Sequence, residues 1–266
     1  MFNHQLRGDF VNLVLPLYKI CTLPSSLSTR RRRIERFARR MLRKLTGRAI
    51  DVRVYLLQAN LIHGLSIREK RGKYKVVVAG PLKYPIEALV VHEVIHVVHD
   101  FKGLYPKRYH LKACRCTAVW RLCLELVKDL YVENELLEIT GGIHHDLLYS
   151  AYIDSIKWCT ELTHNYFERM WNIATMLQYY VLSHIYIPSL YTYFRKFWNE
   201  FLENMSREET ERVVEAAEKL LDLAESCGKP SSEKILRETT AIAEVLTGTD
   251  LYIVYEGASP YICCIH

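Results

Sequence analysis

The sequence HEVIH at His92–His96 lies inside an apolar run and constrains the fold more than any other part of the chain. The run extends from Glu87 to His99 without glycine or proline, which favours a helix. Side chains four residues apart share one helix face, so the His92 and His96 imidazoles lie side by side. Buried imidazoles need partners for their nitrogens, and a shared metal ion is one such partner. The pattern therefore predicts a metal site.

Glu93 follows the first of these histidines directly and is predicted to be a general base. From this position its carboxylate reaches a water molecule bound to the metal. A catalytic zinc ion has three protein ligands and one open position for that water. We therefore expect one zinc ion per chain and hydrolysis of peptide bonds. The alternative is an accidental match, in which His92 and His96 are hydrogen-bonded core residues.

A third ligand is expected on the helical pattern that runs from about Tyr109 to Ile139. Its acidic residues Glu125, Asp129 and Glu133 are four apart and share one face. Leucines recur close to the same positions, so the acidic row is predicted to be half-buried. Buried carboxylates need a cation, which a metal ion supplies. An acidic row that faces solvent is the alternative.

The order of a small sheet, an HExxH helix and a helix with Glu-xxx-Asp resembles the gluzincin branch of the zincin metallopeptidases over roughly residues 51–139. The resemblance implies that Glu125 is the third zinc ligand and that Asp129 orients His92 through a hydrogen bond. It also implies that the strand Tyr74–Ala79 holds the backbone of a peptide or protein substrate by β-augmentation.

Two alternatives to Glu125 stay open for the third ligand. In one, Asp129 or Glu133 binds the metal itself. In the other, the ligand is His110, fourteen residues after His96.

A hydrogen-bond donor to the developing oxyanion is also expected beside the metal. Candidates are His144, His145 and Tyr149, which follow the pair Gly141-Gly142. For the two histidines, an ordinary surface loop is the alternative.

A second feature of the chain is a basic run. It opens with Arg30–Arg33 and continues through six further Arg or Lys residues to Arg48. Apolar residues recur within it at helical spacing, which predicts a helix with one apolar and one basic face. The basic face is either merely solvated or an electrostatic surface for nucleic acid, although no nucleic-acid-binding motif accompanies it. A catalytically silent, zincin-like scaffold that contacts nucleic acid through this helix is the second functional hypothesis.

The predicted fold class is α+β and mostly α-helical. Strands are expected at 51–57, 61–68 and 73–79, before the HExxH helix and the long acidic helix. The C-terminal half is predicted to be helical, with a short strand at 251–255 and an apolar tail. The expected domains are an N-terminal arm with the basic helix (1–50), a metallopeptidase core (51–145) and a helical region (146–266) that is either separate from the core or continuous with it.

Composition and cysteine spacing indicate a cytoplasmic protein. The start of the chain lacks a secretory signal, because Arg7 and Asp9 interrupt it. The eight cysteines match no zinc-finger spacing and are expected to be reduced. The apolar stretch 170–194 is punctuated by polar residues and by Pro188, which favours buried helices over a membrane span.

Overall fold

The computed structural model describes residues 27–59, 62–69, 72–81, 83–85, 88–106, 109–111, 115–159, 165–226, 228–256 and 259–264. These ranges are mostly α-helical and contain two small sheets, which confirms the predicted α+β class. The helices are α1 (Leu27–Thr46), α2 (Leu89–Phe101), α3 (Arg115–Thr140), α4 (Ile143–Cys159), α5 (Tyr166–Val181), α6 (Tyr191–Glu203), α7 (Arg207–Glu225) and α8 (Ser232–Thr247). The strands are β1 (Val52–Gln58), β2 (His63–Arg68), β3 (Tyr74–Gly80), β4 (His110–Leu111), β5 (Leu251–Glu256) and β6 (Ser259–Cys264).

The chain forms two compact units. The first contains α1, the sheet of β1, β2 and β3, helix α2, the C-terminal end of α3 and most of α4. The second contains α5 to α8 and the sheet of β4, β5 and β6. Helix α3 is continuous and contributes residues to both units.

The sheet of the first unit has the strand order β1-β3-β2. Strand β3 is central, because it pairs in parallel with β1 and antiparallel with β2. Its side chains alternate between buried and half-buried, as the alternating sequence pattern predicts. Helix α2 packs on β2, β3 and α1. All three predicted strands are confirmed, each within two residues of its expected start.

The outer edge of β1 is covered by side chains of α1. Arg39 Nε donates to the Val52 carbonyl at 3.3 Å, and the Val54 N–H donates to Glu35 Oε2 at 3.4 Å. These contacts satisfy backbone groups that point away from β3. Because an edge strand pairs with a new strand through those groups, α1 blocks strand addition on this side.

The prediction that the strand Tyr74–Ala79 holds the backbone of a substrate is wrong. This segment forms β3, and both of its edges are already paired within the sheet. Among the described residues, β1 forms one edge of this sheet and β2 forms the other. On β2, the side chains of Leu65 and Ile67 are 46% and 41% exposed. Sequence patterns located the strands, but their order in the sheet depends on pairing between distant segments.

In the second unit, Pro188 interrupts the apolar stretch as predicted. Helix α5 ends at Val181, and a π-helical turn (Leu182–Tyr186) and a 3₁₀ turn (Pro188–Leu190) lead into α6. Proline has no N–H to donate to a preceding carbonyl and therefore cannot continue the helix. None of the helices in the described ranges has the length and apolar character that crossing a membrane requires.

The sheet of the second unit has the strand order β4-β6-β5. Strand β5 matches the predicted strand at 251–255, whereas the expected apolar tail is largely strand β6. Strand β6 pairs antiparallel with β5 and in parallel with β4. The tail therefore gains its structure from pairing with β5 and with a strand more than a hundred residues earlier.

Candidate metal centre

Helix α2 carries the HExxH residues in the core of the first unit. Every residue from Leu89 to His99 is buried. The exposed fraction is 7% for His92, 3% for Glu93 and 6% for His96. Because this part of the helix is buried on all sides, these polar side chains must find their partners inside the protein.

The two predicted ligand histidines face each other. Their Nε2 atoms lie 2.9 Å apart, and their ring centroids are separated by 4.7 Å. Two nitrogen ligands of one tetrahedral zinc ion lie about 3.3 Å apart when each Zn–N bond is about 2.0–2.1 Å. A single N–H···N hydrogen bond between neutral rings has a similar length. The geometry of the two histidines alone therefore suits both a shared zinc ion and a hydrogen-bonded pair without metal.

A third ligand atom accompanies this pair. The described residues contain one group of three side chains whose ligand atoms all lie within 4.8 Å of one another, and it consists of His92, His96 and Asp129. Asp129 lies on α3 and is half-buried. A catalytic zinc ion needs a third protein ligand besides two histidines, and a carboxylate is one of the ligands that such sites use.

Two other candidates for the third ligand, Glu125 and Glu133, are not members of this group. Glu125 has a 61% exposed side chain and forms an ion pair with Lys128 Nζ at 2.8 Å. Glu133 is buried, with 3% exposure, but it is not among the three grouped ligands. His110 begins the short strand β4, and its side chain lies outside the described residues.

Asp129 is held by a residue that sequence reasoning missed. Gln178, on α5, donates from Nε2 to Asp129 Oδ2 at 2.9 Å. Carboxylates that bind metals are commonly oriented by such outer hydrogen bonds. No motif marks a glutamine on a helix forty-nine residues away, so its role emerges only from the fold.

Glu93 approaches the edge strand β2. A Cβ atom added to Gly64 would lie 2.1 Å from Glu93 Oε1 and 2.9 Å from Glu93 Cδ. Glycine is thus the residue that leaves room for the carboxylate at this point in the strand. A glycine within a strand pattern often marks a close approach of another group, and this was the available sequence signal.

His99, on the same helix, contacts α3. Its Nε2 atom lies 2.6 Å from Glu135 Oε2, and the His99 side chain is only 2% exposed. Glu135 is six residues after Asp129, so the helix that bears the third candidate ligand is attached to α2 through this contact. The carboxylate also provides a polar partner for an imidazole in an apolar helix.

The expected oxyanion donors do not belong to the ligand group. His144 and His145 lie in α4 with 0% exposure, so the surface-loop alternative is wrong. Their rings form an edge-to-face pair with centroids 5.4 Å apart. Tyr149 is half-buried on the same helix. The neighbouring glycines, which suggested a loop, form a short turn between α3 and α4.

Replacement of Glu135 by alanine tests the attachment of α2 to α3. The His99 ring would lose a partner in the core, and we expect the free energy of unfolding to fall by about 1–3 kcal/mol in urea denaturation. The matched control is Glu138→Ala, at an exposed position of the same helix, where we expect a change within about 0.5 kcal/mol. Equal effects of the two substitutions would contradict a structural role for the His99–Glu135 contact.

Comparison with protein-family models, with curated proteins and with solved structures found no match to this chain. The similarity to gluzincins therefore stays a similarity of motif and element order. The site's own residues and geometry are what support a function.

Proposed function

We propose that the protein is a zinc-dependent peptidase in which His92, His96 and Asp129 bind one zinc ion and Glu93 is the general base. The observation that carries the proposal is the group of three ligand atoms within 4.8 Å, two of them from the HExxH helix. Asp129 takes the place that the gluzincin resemblance gave to Glu125. The reason is that Glu125 is largely exposed and already paired with a lysine.

The donor set fits zinc. Two imidazole nitrogens and one carboxylate oxygen, with a fourth position open, are typical of catalytic zinc sites. Burial of His92 and His96 also fits, because zinc binds neutral imidazole and satisfies both rings without water. Two histidines and a carboxylate bind iron(II) in some enzymes as well. The carboxylate of Glu93, adjacent to a ligand, favours hydrolysis and hence zinc.

Each residue of the site then has a defined task. Zinc, when bound, lowers the pKa of a water molecule and polarises a carbonyl group. Glu93 is suited to accept a proton at its carboxylate and to return it to the leaving amine. Gly64 leaves the space that this carboxylate occupies. Gln178 orients the Asp129 carboxylate through its hydrogen bond.

An extended peptide or protein segment is the proposed substrate, and β2 is the proposed place where it pairs. Strand β2 is an edge of the sheet and contains Gly64, next to Glu93. An extended peptide adds to such an edge through main-chain hydrogen bonds. Leu65 and Ile67 are exposed on this strand and offer apolar contacts to substrate side chains.

Metal analysis of ligand variants tests the proposed set. We expect one zinc ion per chain in the purified protein. Asp129→Asn and His96→Ala should each weaken zinc binding more than about 100-fold, beyond the effect typical of losing a supporting hydrogen bond. Glu125→Gln is the matched control on the same helix and should bind zinc normally. Affinity is measured by competition with a chromogenic chelator.

The opposite result has a clear meaning. Loss of zinc in Glu125→Gln but not in Asp129→Asn would restore the gluzincin set. A protein that binds no metal at all would leave His92 and His96 as a hydrogen-bonded pair. Iron in place of zinc would contradict the hydrolytic assignment.

Glu93→Gln separates catalysis from metal binding. The amide has nearly the same shape but cannot act as a base, so we expect peptidase activity to fall by about 10²–10⁴-fold with zinc content unchanged. Activity is measured on an unfolded protein and on a mixed peptide library. A wild-type protein that binds zinc but cleaves neither would favour the catalytically silent scaffold instead.

Gly64→Ala tests the position of the Glu93 carboxylate. The new methyl group would occupy the space of Oε1 and displace the flexible end of Glu93. We expect activity to fall at least about tenfold, since a misplaced catalytic group loses rate even when the fold is intact. Zinc binding should be unchanged. The control is Gly228→Ala, where an added Cβ meets nothing within 4 Å. Full activity of Gly64→Ala would contradict the described placement of Glu93.

A further inference from the structure

We propose that α1 binds the phosphate backbone of a double-stranded nucleic acid through an arginine face. This face consists of exposed residues on one side of the helix, namely Arg32, Arg36, Arg39, Arg40 and Arg43. The five residues fall within an arc of about 100° around the helix axis. The row from Arg32 to Arg43 is about 16 Å long, at about 1.5 Å per residue.

Most of the positive charge on the arginine face is not balanced by the protein. Arg39 pairs with Glu35 at 2.7 Å and with Asp51 at 3.4 Å. The other four arginines form no salt bridge with any residue in the described ranges. Like charges one turn apart on a helix repel each other. An external polyanion would remove this repulsion.

The apolar face of α1 decides against insertion into a membrane. A helix that binds membranes by lying in the interface inserts its apolar side among the lipids. In α1 that side is already part of the protein core, with Ile34, Met41 and Leu42 at 0% exposure and Phe37 at 3%. Only the charged side is available, so recognition must be electrostatic.

The chemistry and shape of the arginine face fit phosphates of a duplex. Arginine binds phosphate oxygens with two parallel N–H donors, and all five residues are arginine rather than lysine. A straight row of about 16 Å spans about five phosphates of one strand, which carries one charge per about 3.4 Å of duplex axis. The row consists of cations without aromatic side chains, whereas single-strand binding sites usually stack bases on aromatic rings. Contacts of this kind do not read sequence.

The test uses the full chain and short random-sequence duplexes of DNA and of RNA. Binding is followed by fluorescence anisotropy at several salt concentrations. Four phosphate contacts predict that the logarithm of affinity falls with the logarithm of salt concentration with a slope of about −3.6 on duplex DNA. The variant Arg32→Gln, Arg36→Gln, Arg40→Gln, Arg43→Gln should bind at least tenfold more weakly at low salt and show a shallower slope. Glutamine retains helix propensity close to that of arginine.

A matched control changes four exposed basic residues on other helices to glutamine: Arg121, Arg195, Lys196 and Arg237. It removes the same charge and should keep duplex affinity within about threefold, because only local contacts release counterions. If the quadruple variant of α1 does not fold, the double variant Arg36→Gln, Arg40→Gln should lose about half of the salt slope.

The proposal is overturned if the α1 variant and the control lose affinity equally, or if neither duplex binds. Preference for phosphatidylserine-containing vesicles over both duplexes at the same salt concentration would also overturn it. Glu93→Gln should bind duplexes as the wild type does, so this test is independent of the peptidase proposal.

Discussion

Burial of polar side chains in an apolar helix is the condition on which the rest of the first unit depends. Helix α2 places two imidazoles and a carboxylate where water cannot solvate them. Each unsolvated group is strongly destabilising unless a partner is present. The His92 and His96 imidazoles, which both lie on α2, face each other, and the Glu93 carboxylate fits against Gly64 of β2.

The same condition extends to α3. His99 is buried and contacts Glu135, which attaches the helix of the third candidate ligand to the HExxH helix. Asp129 in turn is oriented by Gln178. We propose that a metal ion between the two histidines and Asp129 stabilises this carboxylate beside the two imidazole nitrogens. This arrangement is the basis of the proposed peptidase site.

The sequence predicted the local parts of this account. Periodicity located the strands of the first sheet and the HExxH helix, because those patterns arise from neighbouring residues. Ser206 precedes α7 at the N-cap position, which is a local feature of the same kind. Ser206 Oγ does accept the Glu209 N–H at 3.3 Å, but the Glu209 carboxylate forms an ion pair with Arg169 of another helix.

Properties that depend on distant segments were not predictable in this way. Spacing of four places Glu125, Asp129 and Glu133 on one face, yet it does not indicate which of the three carboxylates groups with His92 and His96. Glu125 forms an ion pair with Lys128, three residues later on the same helix, and its side chain is exposed to solvent. Strand order also depends on pairing between distant segments. Parallel pairing of β1 with β3 leaves β2 at the edge of the sheet. Strand β6 and Gln178 likewise acquired their roles through long-range contacts.

X-ray absorption at the zinc edge of the zinc-loaded protein tests the central claim most directly. The account predicts a four-coordinate shell of two imidazole nitrogens and two oxygens at about 2.0–2.2 Å, one oxygen from Asp129 and one from water. The Asp129→Asn variant should lose this shell. Sulfur neighbours at about 2.3 Å would assign the metal to cysteines instead and contradict a site built on the HExxH helix.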